Sequence, residues 1–578
     1  MSKLFTAIVS KNRFFCALIF TLSVGSANAE VVIYTAKIIR TMEPALAQAT
    51  AVAVEDGRVL AVGSEASLQP LLELRGGGRI DRRFADQVLL PGFIDPHVHP
   101  SLPAVLTQFP YLAPDDWDLP TGFFPAAKTP QAYRERLAEL VKAHNDSSVP
   151  FVTWGYHSLW HGDIVRRDLN EWFGNTPVMI WHRSFHEIIA NDAALEMLGL
   201  TEEGVSGNHE VNWENGHFYE GGLQAILPRM KFLFDPVRFA GGMRNFLAMT
   251  HRAGVTTALD MGTGFYGKPE QEINAIRSVA ENYPVPTRII LTPIILDFIN
   301  RGVSPEDALK EVQQWQTENS PRVEVGQHFK LMLDGAIFSG LSQFGAPGYL
   351  DGHQGVWMAS EDVTRSFAEV FWNNGFQLHA HSNGDAATDR FIELLRGLLR
   401  DYPRADHRMT VEHFAYSTED QTRQLKALGA VVSANPYYHF ILSDLYSGDW
   451  LGPDRAPQMS RLGSLERAGI PLALHSDNPM APLSPLTLMW SAAARETING
   501  RQGIEGEKIS RETALRAVTI DAAWILGREN DLGSIRAGKL ADFTVLEEDP
   551  MTVELDSLPH IKVVATVYGG EVYPVPSN

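Results

Sequence analysis

Residues 89–100 read LLPGFIDPHVHP, an apolar run that ends in Asp95, His97 and His99, spaced two residues apart. In an extended strand alternate side chains point to the same face, so these three polar groups would share one side of a strand. Burying them there is costly unless something pairs with them, and the simplest pairing is a metal ion. The spacing therefore predicts a strand that carries metal ligands at its end.

Eight short apolar runs, this one included, alternate with amphipathic helical stretches, which is the pattern of a (β/α)8 barrel. The runs lie at 89–99, 254–262, 287–294, 329–336, 376–383, 409–415, 430–438 and 471–479. We predict an α/β fold in which a distorted (β/α)8 TIM barrel covers 89–529. The long gap after the first run predicts a cap inserted at about 102–250. The β-rich ends, 30–88 and 530–578, are predicted to form a small β-sandwich together, because neither end alone could bury a core.

The first 29 residues are typical of an export signal. Three basic residues lie among the first 13, an apolar stretch follows at 14–24, and Ala27-Asn28-Ala29 offers a small-x-small cleavage site. The apolar stretch is too short to cross a hydrocarbon core of ~30 Å, which favours a cleaved signal peptide over a transmembrane anchor. We therefore predict a signal peptide at 1–29 and a mature protein that is periplasmic or secreted, without a stable membrane anchor.

Composition narrows the chemistry further. The net charge of −20 weighs against a nucleic-acid partner and leaves a small-molecule substrate as the expected partner, while nothing indicates an oligomeric state. The single cysteine, Cys16, lies inside the predicted signal peptide, so the mature chain would have no disulfide, thiolate ligand or cysteine nucleophile. A metal site must then use His, Asp, Glu or Lys.

Polar side chains mark the ends of five of the eight runs. The first run carries His97 and His99, the fourth Lys330, the fifth His379 and His381, the sixth His413 and the eighth Asp477. Barrel enzymes keep their chemistry at the C-terminal ends of the strands, so we expect these groups to meet. Imidazole and carboxylate bind Zn²⁺ and similar divalent ions. Such an ion would lower the pKa of a bound water toward about 7, and Asp477 could accept its proton and pass it on.

Several stretches carry a resemblance to a known family. They are PGFIDPHVH (91–99), HRSFHEIIAN (182–191), FKLMLDGA (329–336), HSNGDAA (381–387), VEHF (411–414) and HSDNP (475–479). With them the chain resembles the amidohydrolase superfamily, near the subgroup that includes N-substituted formamide deformylases. The resemblance implies a metal-dependent hydrolase with one or two divalent ions, Zn²⁺ being expected, held by His97, His99, Lys330, His381, His413 and Asp477.

The state of Lys330 stays open at this point. In the superfamily the fourth-strand lysine is often carboxylated and bridges two metals, and by resemblance Lys330 could do the same. The alternative is a lysine paired with a barrel carboxylate such as Asp334 or Asp260, which would leave one metal held mainly by histidines and Asp477.

The chain departs from the subgroup pattern around the mouth of the barrel. Ser382 and Asn383 follow the fifth-strand histidine in place of an apolar pair, and His475 precedes Ser476-Asp477 in place of glycine. We expect His186 to contact the substrate or the oxyanion, with a packing role as the alternative. The expected substrate-binding residues are Arg183, whose alternative is a salt bridge, with Asn191, Tyr437, His439 and the extra histidine His379.

These features predict hydrolysis of a carbon–nitrogen bond, other than a peptide bond, in a small amide, formamide or cyclic amide. A metal-activated water would attack the carbonyl carbon, and Asp477 would shuttle the proton to nitrogen. Two alternatives remain open. The same site could hydrolyse an ester, lactone or phosphoester, or the protein could be a non-catalytic exported regulatory protein on this scaffold.

Overall fold

The computed structural model describes residues 30–576. The predicted signal peptide at 1–29 lies outside the described residues. Within the described part, no helix combines the length and the apolar character needed to cross a membrane.

The strands are β1 Val31–Arg40, β2 Gln48–Glu55, β3 Arg58–Gly63, β4 Gly78–Pro91, β5 Phe93–Val98, β6 Trp117–Leu119, β7 Gly122–Phe124, β8 Phe151–Tyr156, β9 Val178–His182, β10 Glu187–Ala190, β11 Val211–Asn212, β12 His217–Tyr219, β13 Val255–Thr263, β14 Arg288–Pro293, β15 Val323–Val325, β16 His328–Met332, β17 Gln377–Ser382, β18 Thr410–His413, β19 Val431–Ala434, β20 Leu472–Leu474, β21 Phe543–Leu546, β22 Val563–Tyr568 and β23 Glu571–Pro574.

The α-helices are α1 Glu65–Leu68, α2 Pro70–Leu74, α3 Ser101–Leu106, α4 Pro130–Ala143, α5 Ser158–His161, α6 Arg166–Phe173, α7 Asp192–Met197, α8 Glu202–Val205, α9 Leu223–Ile226, α10 Pro236–Arg252, α11 Pro269–Ala280, α12 Ile295–Arg301, α13 Pro305–Gln316, α14 Glu361–Asn373, α15 Asp385–Asp401, α16 Glu419–Leu428, α17 Tyr437–Gly448, α18 Gly452–Arg455, α19 Leu462–Ala468, α20 Pro485–Ala494, α21 Arg511–Ala517 and α22 Ile520–Ile525. Short 3-10 turns lie at Pro44–Leu46, Glu220–Gly222, Leu227–Arg229, Lys231–Phe234, Ile337–Ser339, Ala456–Gln458, Glu505–Glu507 and Leu555–His560.

Both ends of the chain contribute to one seven-stranded sheet, in the order β23-β22-β21-β4-β1-β2-β3. Strand β4 joins the two ends, because it runs parallel to β1 on one side and antiparallel to β21 on the other. The turn between β2 and β3 is Asp56-Gly57, with φ angles of 51° and 72°, as a two-residue hairpin of this hand requires. The described strands thus form one hydrogen-bonded sheet, with α1 packed against β2 and β3, and a sandwich of two sheets stays a prediction.

The middle of the chain is α/β and resembles a TIM barrel. Two parallel sheets, in the orders β15-β14-β13-β5 and β16-β17-β18-β19-β20, alternate with helices. Single parallel bridges, Ile294 with Lys330 and Val98 with Asn478, link the two sheets. Each of the eight predicted runs overlaps one of these strands, whereas the ninth strand, β15, was not predicted.

The first predicted strand needs a correction. Residues 89–91 end β4 and pair with β21 of the terminal sheet, whereas Phe93–Val98 form β5 and pair with β13. The apolar run is continuous because the chain passes from one buried sheet directly into another. The histidines His97 and His99 therefore sit at the end of a short strand of six residues.

The segment after β5 builds its own five-stranded sheet, in the order β11-β12-β10-β9-β8. Its apolar side chains, among them Trp154, Trp181 and Phe218, are fully buried and belong to the same core as the barrel strands. Helix α10, at the end of the predicted cap, packs against α3 and α11 and leads directly into β13. This sheet, called the cap sheet below, therefore shares one hydrophobic core with the barrel strands.

Candidate metal centre

All six predicted metal-binding side chains line one cavity of about 410 Å³ at the C-terminal ends of the barrel strands. They are His97, His99, Lys330, His381, His413 and Asp477. His186 and Glu220, which directly precede β10 and follow β12 of the cap sheet, line the same cavity. These groups lie up to 380 residues apart along the chain, and the parallel strands that carry or precede them bring them to one cavity.

Asp477 is the centre of this cluster. His99 Nε2 lies 2.9 Å and His97 Nε2 3.4 Å from its Oδ1, and His413 Nδ1 lies 3.5 Å from its Oδ2. His413 and Asp477 have φ angles of 76° and 54°, in the left-handed region that non-glycine residues rarely adopt. Such strain costs about 1–3 kcal/mol per residue and clusters at functional sites. The fold holds both side chains in place against that cost.

Two buried atoms facing the cluster lack partners. Within residues 30–576, neither Lys330 Nζ nor His97 Nε2 has a hydrogen-bond partner. Lys330 is therefore not the ion-paired lysine of the structural alternative. Burial lowers its pKa to about 8, although Glu412, Asp477 and Asp260 oppose the change. Unsatisfied buried polar atoms cost about 1–3 kcal/mol each, which a bound ion would relieve.

The donor set fits a divalent metal. One ligand atom from each of His97, His99 and Asp477 lies within 4.8 Å of the others. Nitrogen and carboxylate oxygen donors without thiolate suit Zn²⁺ and similar ions. The unpartnered His97 Nε2 and Lys330 Nζ, both buried beside this set, agree with an ion at this place.

A buried carboxylate beneath the centre orients His97, and sequence reasoning missed it. His97 Nδ1 lies 2.7 Å from Glu412 Oε2, which leaves Nε2 facing the cavity. Carboxylate contacts of this kind fix the tautomer and orientation of metal-binding histidines. Burial raises the pKa of Glu412 to about 8, against the opposing charge of Lys330. Glu412 precedes His413 directly, and the signal was hidden because alternation in a strand would send the two to opposite faces.

His379 belongs to this lower layer and does not line the cavity. Its Nδ1 lies 2.7 Å from Glu412 Oε1, and its Nε2 lies 3.1 Å from His328 Nδ1. All three groups are buried. The expected substrate-binding role of His379 is therefore corrected to a role in holding Glu412.

Tyr438, which the sequence did not single out, reaches the centre. Its hydroxyl donates to Asp477 Oδ2 at 2.9 Å and lies 3.2 Å from His413 Nδ1. The expected residue, Tyr437, instead donates to Asp115 at 2.7 Å. Both tyrosines stand in the first turn of α17, where consecutive side chains diverge by about 100°. Only the position of the helix start decides which of them faces the metal centre.

His186 faces the cavity from the cap, in the position expected of a substrate-contacting residue. Strands β10 and β12 pair Glu187 with Tyr219, so the next residues, His186 and Glu220, lie opposite each other. His186 Nδ1 lies 2.8 Å from Glu220 Oε2. Burial lowers the pKa of His186, but the carboxylates of Glu220, Glu187 and Asp477 outweigh it and raise the pKa above its ordinary value.

Two more expected substrate-binding residues, Asn191 and His439, lie outside the cavity. Asn191 caps α7 and accepts from the backbone N–H groups of Val178 and Ala194, both at 3.0 Å. His439 is buried near Arg495, and neither it nor Asn191 lines the cavity. Asn191 therefore stabilises the start of a helix in the inserted segment and does not contact a ligand in the cavity.

Arg183 also has a structural partner, as the salt-bridge alternative holds. Its Nη1 lies 2.9 Å from Asp115 Oδ1, and its Nη2 donates to Asp115 Oδ2 at 3.0 Å and to the carbonyl of Met480 at 3.3 Å. The guanidinium is fully buried between aromatic rings. It joins the cap to the loop after the eighth barrel strand.

We expect Arg183→Ala to destabilise the protein by about 3–5 kcal/mol, because it leaves the Asp115 carboxylate buried without its partner. Chemical denaturation followed by tryptophan fluorescence measures the effect. The double variant Arg183→Met with Asp115→Leu should recover most of the loss. If Arg183→Ala instead had native stability and a raised KM, Arg183 would be a substrate-binding residue, as the sequence predicted.

Gly262 leaves the space that the His99 imidazole occupies. A Cβ atom at this position would lie 2.7 Å from His99 Nδ1 and 3.2 Å from Cε1. We expect Gly262→Ala to push the imidazole away and to weaken metal binding about 10- to 100-fold, measured by competition with a chelator. Gly241→Ala is the control, since a Cβ there meets nothing within 4 Å. Unchanged affinity in Gly262→Ala would show that His99 does not bind the metal.

Comparisons with known proteins show which family and fold the chain resembles. A model described as "Amidohydrolase family" matches residues 85–574. An N-substituted formamide deformylase from Arthrobacter pascens is 25% identical, with 92% of this chain and 96% of that protein covered. Protein LONG AFTER FAR-RED 3 from Arabidopsis thaliana is 26% identical over 92% of this chain and 90% of its own length. A metal-dependent hydrolase from Pyrococcus horikoshii OT3 has a similar fold, with a TM-score of 0.68, 19% identity and coverage of 91% and 99%.

Proposed function

The chain belongs to the amidohydrolase family and is a hydrolase that acts on carbon–nitrogen bonds other than peptide bonds, and we propose that its substrate is a small amide, formamide or cyclic amide. The observation that carries the proposal is the convergence of six metal-competent side chains around Asp477 at the floor of one cavity. The similarity to an N-substituted formamide deformylase supports N-substituted formamides as the first class to test.

We propose that His97, His99, His381, His413 and Asp477 hold one or two divalent ions, with Zn²⁺ the preferred ion, and that Lys330 is carboxylated. When bound, such an ion supplies a Lewis acid for the carbonyl oxygen and lowers the pKa of a water toward about 7. The parallel sheets that carry these residues support a distorted (β/α)8 barrel as the scaffold.

The protein's own groups then move the protons and bind the charge. Water adds to the carbonyl carbon, and Asp477 accepts the proton that the water loses. The carbonyl oxygen gains negative charge, and His186, which lines the same cavity, is the donor that binds it. As the carbon–nitrogen bond breaks, Asp477 returns the proton to the leaving nitrogen. The Tyr438 hydroxyl holds the Asp477 carboxylate in one orientation during both transfers.

A substrate panel tests the proposal. The purified protein is assayed with an N-substituted formamide, a cyclic amide, a carboxylic ester, a lactone and a phosphoester, before and after a chelator removes divalent ions. We expect turnover of at least one amide, loss of it with the chelator, and recovery with Zn²⁺. Turnover of the esters or the phosphoester alone would move the function to the alternative class. No turnover of any compound by the metal-loaded protein would favour the regulatory alternative.

We also propose that residues 1–29 direct export, so that the mature protein works in the periplasm or outside the cell. The order of basic, apolar and small residues in this segment supports it. The mass of the mature protein measures the outcome. A first residue of Glu30 is expected, and retention of Met1 in the exported protein would contradict cleavage.

We expect Glu220→Gln to shift the alkaline limb of the pH–rate profile to lower pH. The carboxylate raises the pKa of His186, so the protonated imidazole that donates to the oxyanion persists to higher pH in the native protein. Without that charge, His186 loses its proton at lower pH, and burial and the remaining carboxylates of Glu187 and Asp477 determine its pKa. Activity near pH 6 should change little, whereas activity near pH 8 should fall. Glu203→Gln, on an exposed helix, is the control, and an unshifted limb would exclude His186 as a protonated donor.

A further inference from the structure

His475 is a buried histidine that the proposed mechanism leaves unused. It directly follows β20 and stands two residues before Asp477. Its backbone N–H donates to the carbonyl of Ala434 at 3.0 Å, so it continues the parallel pairing of β20 with β19. The side chain is fully buried. In the related subgroup pattern this position is usually glycine, so the imidazole is an addition in this chain.

The ring of His475 lies against the metal centre. Its centroid is 4.4 Å from that of His97 and 5.3 Å from that of His413. One ring nitrogen from each of these three histidines lies within 4.8 Å of the other two. All three are buried. This trio is a second group of ligand atoms, besides the one formed by His97, His99 and Asp477, and it shares His97 with that group.

The hydrogen bonds of His475 leave one nitrogen free for a ligand. Nδ1 lies 2.7 Å from Ser433 Oγ and 3.6 Å from Glu412 Oε2. The nearby carboxylate favours a proton on Nδ1, which donates to the Ser433 hydroxyl, and this tautomer leaves a lone pair on Nε2. Within the described part of the chain, Nε2 of His475 is buried without a hydrogen-bond partner, as is Nε2 of His97.

We propose that His475 is a metal ligand of this centre and shares an ion with His97 and His413. The inference rests on the proposed function, because it assumes that the centre binds a divalent metal. Metal-binding histidines usually donate their other ring N–H to an oxygen acceptor, and the Ser433 hydroxyl is that acceptor for His475. A further imidazole favours Zn²⁺, Co²⁺ or Ni²⁺ over Mg²⁺ or Ca²⁺, which prefer oxygen donors.

The test compares metal binding in the full-length mature protein and three variants. His475→Gln keeps the volume of the side chain, His475→Gly restores the subgroup residue, and His251→Gln is the control. His251 is a buried histidine on α10 whose Nε2 bonds the carbonyl of Tyr573 at 3.0 Å. Zn²⁺ affinity is measured by competition with a chelator, and X-ray absorption on the Zn²⁺-loaded protein counts the imidazole ligands per ion. Thermal unfolding of each variant checks the fold.

Loss of a ligand should weaken binding of one ion by at least about 100-fold, more than the about 10- to 100-fold typical of supporting groups. We therefore expect both His475 variants to bind one Zn²⁺ ion at least about 100-fold more weakly and to show fewer imidazole ligands per ion. The control His251→Gln should match the native protein. Ser433→Ala should give the smaller, supporting-group effect.

The outcomes separate this inference from the proposed function. Native affinity and imidazole count in the His475 variants would overturn the inference alone, provided that the native protein binds metal and hydrolyses an amide. A native protein that binds no divalent ion would overturn both. If His475→Gly does not fold, the Gln variant and the imidazole count of the native protein decide the question.

Discussion

Asp477→Asn is expected to lower kcat by about 10³-fold or more without loss of the fold, since proton transfer by a positioned group contributes about 10²–10⁴-fold. Asparagine has the shape of aspartate but cannot accept a proton, and it is a weaker metal ligand. It can still accept from the Tyr438 hydroxyl, which bonds Asp477 Oδ2 at 2.9 Å. The variant therefore removes the chemistry of the carboxylate while most of its contacts remain.

Steady-state rates with the best substrate of the panel measure this effect, and elemental analysis of the variant measures its metal content. Retained metal with lost turnover would assign the loss to proton transfer, whereas lost metal would assign it to coordination. Asp86→Asn, at an exposed position of β4, is the control. A variant that keeps more than a tenth of the native kcat would exclude Asp477 as the proton shuttle.

The residues that line the candidate metal centre could be predicted from the sequence because each one depends on local information. Each lies in or directly after a short apolar run, and the parallel strands of a barrel bring all their C-terminal ends to one side. Lys330, for example, can be located once a strand is predicted at 328–332 and the neighbouring strands are known to run parallel to it. The same logic placed His381 and Asp477 in the cavity.

Residues that depend on a single backbone angle or on a distant partner could not be predicted in this way. Glu412 and His413 both serve the centre because a φ of 76° at His413 ends the alternation of the strand. Arg183 has a suitable side chain for a substrate carboxylate, but its partner Asp115 lies 68 residues earlier in the chain. Sequence alone does not distinguish a buried ion pair of this kind from a binding site, since both need the same residue types.

The division of residues 89–99 between two sheets was also not predicted, because it depends on distant pairing partners. Hydrophobic periodicity shows that a segment is buried, but it does not show which sheet buries it. Leu90 pairs with Thr544 in the terminal sheet and Ile94 with Thr257 in the barrel sheet, although both are apolar and fully buried. Only the long-range pairing separates the two strands.

Lys330→Ala is expected to reduce the metal content from two equivalents to one or none and to lower activity by at least about 100-fold, the upper end of what supporting groups at metal sites contribute. Burial lowers the pKa of Lys330 to about 8, which increases the fraction of neutral amine near neutral pH. The neutral amine can attack carbon dioxide, forming a nitrogen–carbon bond and losing one proton, and the resulting carbamate provides two oxygen ligands. Because Nζ has no hydrogen-bond partner in the described chain, the loss of metal would not arise from a broken internal contact.

Elemental analysis of protein prepared with bicarbonate measures the metal content, and carbon-13 bicarbonate makes a carbamate visible by NMR. Lys539→Met is a matched control, since burial also lowers the pKa of Lys539 to about 8, but its Nζ donates to the carbonyl of Leu532 at 3.0 Å and to Ser534. This control should keep the native metal content and the carbamate signal. One equivalent of metal in both the native protein and Lys330→Ala would mean a single-metal site with Lys330 uncarboxylated. No metal in either protein would contradict the hydrolytic mechanism itself, because Asp477 and the histidines would then have no ion to bind.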